Sequence, residues 1–327
     1  MSRLLEFESG GATYAAAGVD IDAGDEAVEK IKSVVASTHR PGVMGSIGDF
    51  GGLFQLGALG LKNPVLVSSA DGVGTKLHVA QIAQRFEGVG HDLVAMLVDD
   101  LVCVGAEPLF LLDIITVGKL NPDRVATIVT SIAEGCRRAQ TALIGGETAE
   151  HGGIMGVDDI DVAGFAVGVL EEGSQLGAHR VAAGDSLVGF HSPGIRSNGY
   201  TLARSVLMDG RPLDSPAWSG STASLADELL RPSVIYAPAV VAAKKSLGEA
   251  LHGVAHITGG GIVGNVPRML PSHLEAVIDL SAFETPEIFF EIQRRGKVTS
   301  TEMLRVFNCG LGMVLAVAPG HVESVIE

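Results

Sequence analysis

The chain is poor in the residues that staple or anchor a protein from outside its core. It has three cysteines in 327 residues, Cys103, Cys136 and Cys309, widely spaced and with no CxxC pair. That spacing argues against both a zinc site and a disulfide framework. Three reduced, buried thiols are the expectation, and a reducing cytoplasm suits them. Basic residues are also scarce: 23 Lys and Arg stand against 38 Asp and Glu, a formal charge of −15. A broad basic surface for nucleic acid is thereby excluded. Long apolar runs are missing too. The longest uncharged stretch, residues 306–322, holds Asn308, Pro319 and several glycines, and is too short and broken to span a bilayer. No basic-then-apolar leader opens the chain, and no repeat of 20–50 residues is visible.

What the chain has in excess is glycine, 43 of 327 or about 13%, roughly twice the usual ~7%. The glycines have no every-third-residue period, so a collagen-like chain is excluded. Hydrophobic residues make up 46%, enough for packed cores and against general disorder. At about 150 residues per domain the length suggests two domains.

The patterning predicts a helix over residues 22–38, capped by Asp22 and carrying Val28, Ile31, Val34 and Val35 on one face. A glycine-rich loop over residues 41–60 follows. Strands are expected at 64–69, 109–117, 142–144 and 162–170, and helices at 75–86 and 91–104. Asn121-Pro122 reads as a cap with proline in the first helical position, starting a helix that runs to about Gln140. The polar stretch 173–185 marks a boundary between domains 1–172 and 173–327. Beyond it, strands are expected at 187–190, 254–257, 276–278 and 313–317. Helices are expected from Gly199, over 234–246 and from Pro286. Helices and strands mix without a strict βαβ rhythm, so the fold class is α+β rather than doubly wound.

Four segments carry possible chemistry. In ADGVGTK (70–76) an acid ends a strand, two glycines turn the chain and Lys76 opens a helix. Helix N-termini attract phosphate, although an ordinary capped turn has the same pattern. Asp99 and Asp100 are neighbours on an apolar helix, about 100° apart, so one faces inward and needs a cation. GGETAE (145–150) follows a strand. Asp71, Asp100 and Glu147 together would form an oxygen-rich set suited to Mg²⁺ and phosphate. Against this, three surface acids are unremarkable in so acidic a chain. Finally, HITGGGIVGN (256–265) contains Gly259-x-Gly261-x-x-Gly264, with Asp279 downstream. This matches the dinucleotide fingerprint on paper, but Pro267 and Pro271 interrupt the helix that should follow. His256, just before these glycines, is either a satisfied core residue or a proton carrier. SNGY (197–200) offers Ser197 or Asn198 as a helix cap.

As an ordered set these segments resemble one family. AGVDIDAG (17–24), RPGVMG (40–45), ADGVGTKL (70–77), HDLVAMLVDDLVCVGAEPLFLLD (91–113), GGETAE (145–150), DVAGFAVGV (161–169), SNGY (197–200), AHITGGG (255–261), NVPRMLP (265–271) and FNCGLGM (307–313) resemble the phosphoribosylformylglycinamidine cyclo-ligases over nearly the whole chain. The resemblance implies a two-domain α+β subunit. Its N-terminal mixed sheet would pair across a homodimer, with ATP in the cleft there, and its C-terminal domain would be an α/β sandwich. It implies an ATP-dependent, C–N bond-forming ligase of purine biosynthesis. This enzyme converts formylglycinamidine ribonucleotide to aminoimidazole ribonucleotide through an iminophosphate, releasing ADP and phosphate. Thiamine-monophosphate kinase, a relative in the same superfamily, is the alternative. ATP and Mg²⁺ are implied as cofactors, with a monovalent cation left open.

Carried onto this sequence, the resemblance makes Asp71, Asp100 and Glu147 the Mg²⁺–phosphate carboxylates. Gly72, Gly74, Thr75 and Lys76, with Gly145 and Gly146, would hold phosphate. Lys32 and His256 would handle substrate, with Asp100 beside them. Ser197 and Asn198, with Thr258, Gly259, Gly260 and Gly261, would face the ribonucleotide. The chain departs from the family pattern at Asp99, where Asn is usual, at His151-Gly152-Gly153 and at Gly264. The family pattern also continues through a helix and a strand beyond Glu327.

Overall fold

The structure is a computed structural model, and it describes residues 12–48 and 50–326. Its first helix, α1 (Ile21–Ala36), is capped two residues earlier than expected. Asp20 rather than Asp22 is the cap, and its Oδ1 accepts from the Ala23 N–H at 3.1 Å. A two-residue hairpin, β1 (Val43–Met44) with β2 (Leu53–Phe54), lies in the glycine-rich stretch.

The first large layer is a four-stranded sheet built from β3 (Pro64–Gly72), β4 (Glu107–Val117), β5 (Ala142–Glu150) and β6 (Ile160–Glu171). The spatial order is β3-β6-β4-β5, with β4 and β5 parallel and the other pairs antiparallel, so the sheet is mixed. Helices α2 (Lys76–Ala83), α3 (Val89–Cys103) and α4 (Pro122–Arg138) accompany it. Asn121 caps α4 with Pro122 in its first turn, as its sequence dictates. α3 is apolar almost all round and is buried along nearly its whole length, as expected of a helix with no solvent face. It lies on β3 and β6, where a Cβ on Gly164 would come within 2.8 Å of Leu97 Cδ1.

One expectation is corrected here. GGETAE is not a loop between strands; it lies within β5. Its backbone pairs with residues 112–117 of β4, and that ladder outweighs the low strand propensity of its glycines.

The second sheet has the order β7-β9-β8, all antiparallel, from β7 (Ser186–His191), β8 (Leu251–His256) and β9 (Leu311–Val317). Around it are α5 (Tyr200–Leu207), α6 (Leu225–Leu229), α7 (Ala237–Leu247), α8 (Gly261–Asn265), α9 (Glu287–Gly296), α10 (Ser300–Val306) and α11 (Glu323–Ile326). The strand expected at 276–278 does not form; those residues are irregular, and Val277 is exposed. Gly199, with φ +84°, occupies the cap position of α5, and neither Ser197 nor Asn198 caps it. Two short helices, α6 and α10, were not anticipated. Both are announced by caps, Ser224 in a capping box and Thr299 accepting from Glu302 N–H. No helix is long and apolar enough to cross a membrane among the described residues.

Candidate functional site

Three chain segments far apart in sequence meet where β3, α3 and β8 converge. Asp71 is next to last in β3, Asp100 is near the end of α3, and His256 is the last residue of β8. The His256 Nδ1 lies 2.8 Å from Asp100 Oδ1. The imidazole is buried while Asp100 remains 43% exposed, so the carboxylate forms the wet side of the pair. His256 Nε2 has no hydrogen-bond partner and lies 3.8 Å from Asp99 Oδ2. Burial raises the Asp71 carboxyl above the usual range, and the negative charge of Asp100 adds to the shift. The Gly72 N–H and His256 oppose it. Asp71 and Asp100 are thus close enough for the charge of one to bear on the other.

Asp99 turns the other way. It is fully buried, its Oδ2 accepts from Arg196 Nη2 at 2.9 Å, and its Oδ1 accepts from the Tyr236 and Ala237 N–H groups at 2.8 and 2.9 Å. Here the inward carboxylate finds its cation, as its burial requires.

The glycine loops surround this corner. Gly72 ends β3, Gly74 turns with φ +70°, and Thr75 precedes α2 with its hydroxyl 3.3 Å from that of Thr201. Lys76 is corrected: it does not present its ammonium to this corner. Its side chain is 1% exposed, bonded to Asp92 Oδ2 at 2.6 Å and donating to the Arg231 carbonyl at 2.7 Å. An isolated buried ammonium is costly, and the adjacent buried carboxylate explains its inward turn.

The second loop pair comes from the C-terminal half. Asn198 stands against Gly259, whose Cβ position is 3.5 Å from Asn198 Oδ1. Asn265 Nδ2 donates to the carbonyls of Thr258, Gly259 and Gly261 and so fixes the TGGG turn. Gly260 has φ +96°. A Cβ on Gly261 would lie 2.2 Å from the Leu304 carbonyl. Ser197 Oγ is buried without a partner. The dinucleotide reading loses its helix: α8 stops after five residues, and Pro267 follows in a 3₁₀ turn. Asp279 instead accepts from Ser281 in a turn.

Glu147, Gly145 and Gly146 stand elsewhere. Asp71, Gly164, Asp113 and Gly146 form one row across the sheet, and β5 is the edge opposite β3. Three strand spacings of about 4.8 Å separate these edges by about 14 Å. Glu147 also pairs with Ile114, on the face opposite Asp71. Within one protomer, Glu147 is therefore not part of the Asp71–Asp100 corner, which corrects the grouping of all three acids. Among the described residues no cluster of three His, Cys, Asp or Glu is close enough to hold a metal by itself.

Beside Gly145 and Gly146 opens a cavity of about 370 Å³, walled by α1, α4 and residues 46–48 and 50–52. Asp113 lines it, and burial pushes its carboxyl up to about 7. A Cβ on Gly146 would lie 2.1 Å from Asp113 Oδ1, so only glycine fits there. Lys32 lies on α1, exposed and paired with Glu29 at 2.5 Å, away from His256. Glu150, the second acid of GGETAE, accepts from the Asp20 and Leu120 N–H groups and ties α1 to the sheet. Sequence reasoning passed over Asp92, Arg196 and Asp113. The only hint was an isolated charge within an apolar run.

Comparison with known proteins agrees with this architecture. Residues 56–170 match the family described as AIR synthase related protein, N-terminal domain, and residues 182–327 match its C-terminal domain counterpart. The chain is 50% identical to a phosphoribosylformylglycinamidine cyclo-ligase of Trichlorobacter lovleyi, over 97% of this chain and 90% of that one. It is 49% identical to one from Geotalea daltonii, over 96% and 90%. Among solved structures, thiamine-monophosphate kinase from Stenotrophomonas maltophilia superposes with a TM-score of 0.59 at 16% identity, covering 91% of this chain and 88% of that one. The hydrogenase maturation protein HypE in complex with ATP gives 0.54 at 14%, covering 91% and 80%. At such identities the last two show shared fold alone. From its two matching domains and its half-identical relatives, the chain belongs to the phosphoribosylformylglycinamidine cyclo-ligase family.

Proposed function

We propose that this chain is an ATP-dependent ligase that closes the imidazole ring of aminoimidazole ribonucleotide from formylglycinamidine ribonucleotide. The observation that carries this reading is the near-full-length identity to two cyclo-ligases. Its chemical logic follows from the substrate. An amide oxygen is a poor leaving group. The γ-phosphorus of ATP bonds to that oxygen as the Pγ–O bond to ADP breaks, giving an iminophosphate. The amidine nitrogen then attacks the same carbon and phosphate leaves. Positioning and charge neutralisation do most of such work.

Asp71 and Asp100 offer hard oxygen donors at the open side of the cleft, and one or two carboxylates with substrate phosphates suit Mg²⁺. Mg²⁺ bound there would neutralise charge on the transferring phosphate. In this reading Gly74 and Thr75 offer backbone N–H groups to phosphate, and Gly72 lets the chain approach it closely while its own N–H is bonded to Asp71. Ser197, Asn198 and the Thr258–Gly261 turn face the ribonucleotide. His256, held by Asp100 through Nδ1, is the proton carrier in this reading.

Glu147, Gly145, Gly146, Lys32 and the α1 cavity belong to the nucleotide side of the same reading, contributed from the opposite sheet edge. The outer sheet face supports a homodimer that reunites them. Leu66, Phe165 and Ile114 share that face and are 56%, 38% and 46% exposed. Apolar exposure of this kind favours a self-complementary partner. The three free thiols fit a reducing cytoplasm.

The test is a coupled ADP-release assay with formylglycinamidine ribonucleotide and Mg²⁺. Ribonucleotide-dependent ADP formation is expected. Its absence from folded protein, or ADP release driven by thiamine monophosphate instead, would overturn the reading.

A further inference from the structure

Asp92 and Asp99 are seven residues apart on α3, two helical turns, and so lie on one face. Both are fully buried, and both bind the segment leading into α7. Asp92 Oδ1 accepts from the N–H and hydroxyl of Ser233, at 2.9 and 2.5 Å. Asp99 Oδ1 sits on the first N–H groups of α7, where a carboxylate is favoured. Its second oxygen has two neighbours. Arg196 Nη2 is bonded to it at 2.9 Å, and His256 Nε2 waits at 3.8 Å.

Arg196 is buried and bonded through Nη2 alone: its Nε and Nη1 have no hydrogen-bond partner. It is 3% exposed, its backbone is left-handed at φ +69°, and its guanidinium lies over the Tyr236 ring at 4.7 Å. The Tyr236 hydroxyl in turn donates to the His191 carbonyl at 2.7 Å, and Asn308 Nδ2 donates to the carbonyls of Gly194 and Ile195. A non-glycine residue kept in this backbone region costs of order 1–3 kcal/mol and persists only where surrounding contacts enforce it.

His256 thus stands between two carboxylates one residue apart. If its Nε2 bonded to Asp99, the ring would be drawn inward and away from Asp100. We propose that Arg196 is a positioning residue: by occupying the second oxygen of Asp99, it leaves His256 to pair with Asp100 alone and keeps Nε2 free. Asp99 meanwhile anchors α7 and sets the rotation of α3 that aims Asp100, about 100° further round, into the cleft. The inference rests on reading Asp100 and His256 as parts of the active site.

Four variants of the full-length protein test it: Arg196→Met, Arg196→Lys, the double variant Asp99→Asn with Arg196→Met, and Asp100→Asn. Removing Arg196 alone leaves Asp99 free to capture His256. In folded Arg196→Met, kcat is expected to fall on the order of 10²-fold with KM for ATP within about twofold. Arg196→Lys, which keeps a cation beside Asp99, should retain more turnover than Arg196→Met. The double variant removes the competing charge and should regain at least about tenfold of the lost kcat. A ¹⁵N-histidine spectrum, with His256 assigned by His256→Gln, should show its Nε2 signal displaced in Arg196→Met and restored in the double variant. Wild-type kcat in folded Arg196→Met would overturn the proposal, as would an unmoved His256 signal or a double variant no faster than the single one. If Arg196→Met does not fold, the lysine and double variants carry the same comparison. Unchanged turnover in Asp100→Asn would instead sink the reading of the site.

Discussion

The two edges of the first sheet solve different problems. At the β3 edge, Asp71, Asp100 and His256 are assembled by tertiary contacts, and buried charges are paired one by one: Lys76 with Asp92, Asp99 with Arg196. At the β5 edge, among the described residues, the ion pairs of α1 lie at the surface. Gly145 and Gly146 leave backbone and an apolar cavity exposed, with Asp113 at its wall and Glu147 at its rim. The first edge holds its charges in pairs, and the second is lined by glycine and apolar side chains. One ligand chemistry spread over both needs them brought together, and one sheet of four strands cannot fold its edges onto each other. In the proposed homodimer, a second protomer on the apolar outer face brings them together.

The largest expected effect tests the charged edge. Asp100→Asn should lower kcat/KM by about 10²- to 10³-fold while the melting temperature stays near wild type, because Asp100 is the half-exposed member of its pair. Lys76→Met comes next, and it separates a structural from a phosphate-binding lysine. It strands Asp92 in the interior and should cost about 3–5 kcal/mol in denaturant unfolding. KM for ATP in the remaining folded protein should hardly change. A raised KM with unchanged stability would return Lys76 to the phosphate site.

Mixing inactive protomers joins the two edges. If each site takes Asp100 from one protomer and Glu147 from the other, co-refolded Asp100→Asn and Glu147→Gln chains should regain about a quarter of wild-type activity. Half of the dimers are mixed, and each mixed dimer keeps one intact site. No recovery would confine the site to one chain. Ile114→Asp, on the exposed face, should shift the protein towards monomers in sedimentation and lower activity in proportion.

The last effect is a slope. Burial raises the Asp113 carboxyl to about 7, so the fold keeps a proton that an unfolded aspartate loses near pH 4. Folding therefore takes up a proton between about pH 4 and pH 7, and stability falls as pH rises through that window. Asp113→Asn should remove this slope, so its advantage over wild type grows across the window and levels off above it. A nucleotide titration of the same variant shows whether the buried carboxyl also serves the cavity.

Much of the fold was legible because its signals are local. Asn121-Pro122 opens α4 where the pair demands, the apolar run of α3 is a buried helix, and the ordered glycine segments carried the family resemblance. The misreadings have a common origin. GGETAE looked like a loop because glycine is a poor strand former, yet β4 supplied a ladder for it. Lys76 looked like a phosphate ligand because its segment resembles one, yet Asp92, sixteen residues away, took its charge. Glu147 looked like a partner of Asp71 because sequence order says nothing of sheet order, and β5 closes the far edge.

By itself the sequence determined most of the elements, the cap of α4, the α+β class and the family. Those are set by periodicity, backbone preference and short motifs, which act over a few residues. Only the tertiary structure decided which charge answers which. Arg196 reaches Asp99 across 97 positions and His256 reaches Asp100 across 156. Such pairings follow from desolvation, because a charge carried into the interior must take whatever counter-charge the packing places beside it.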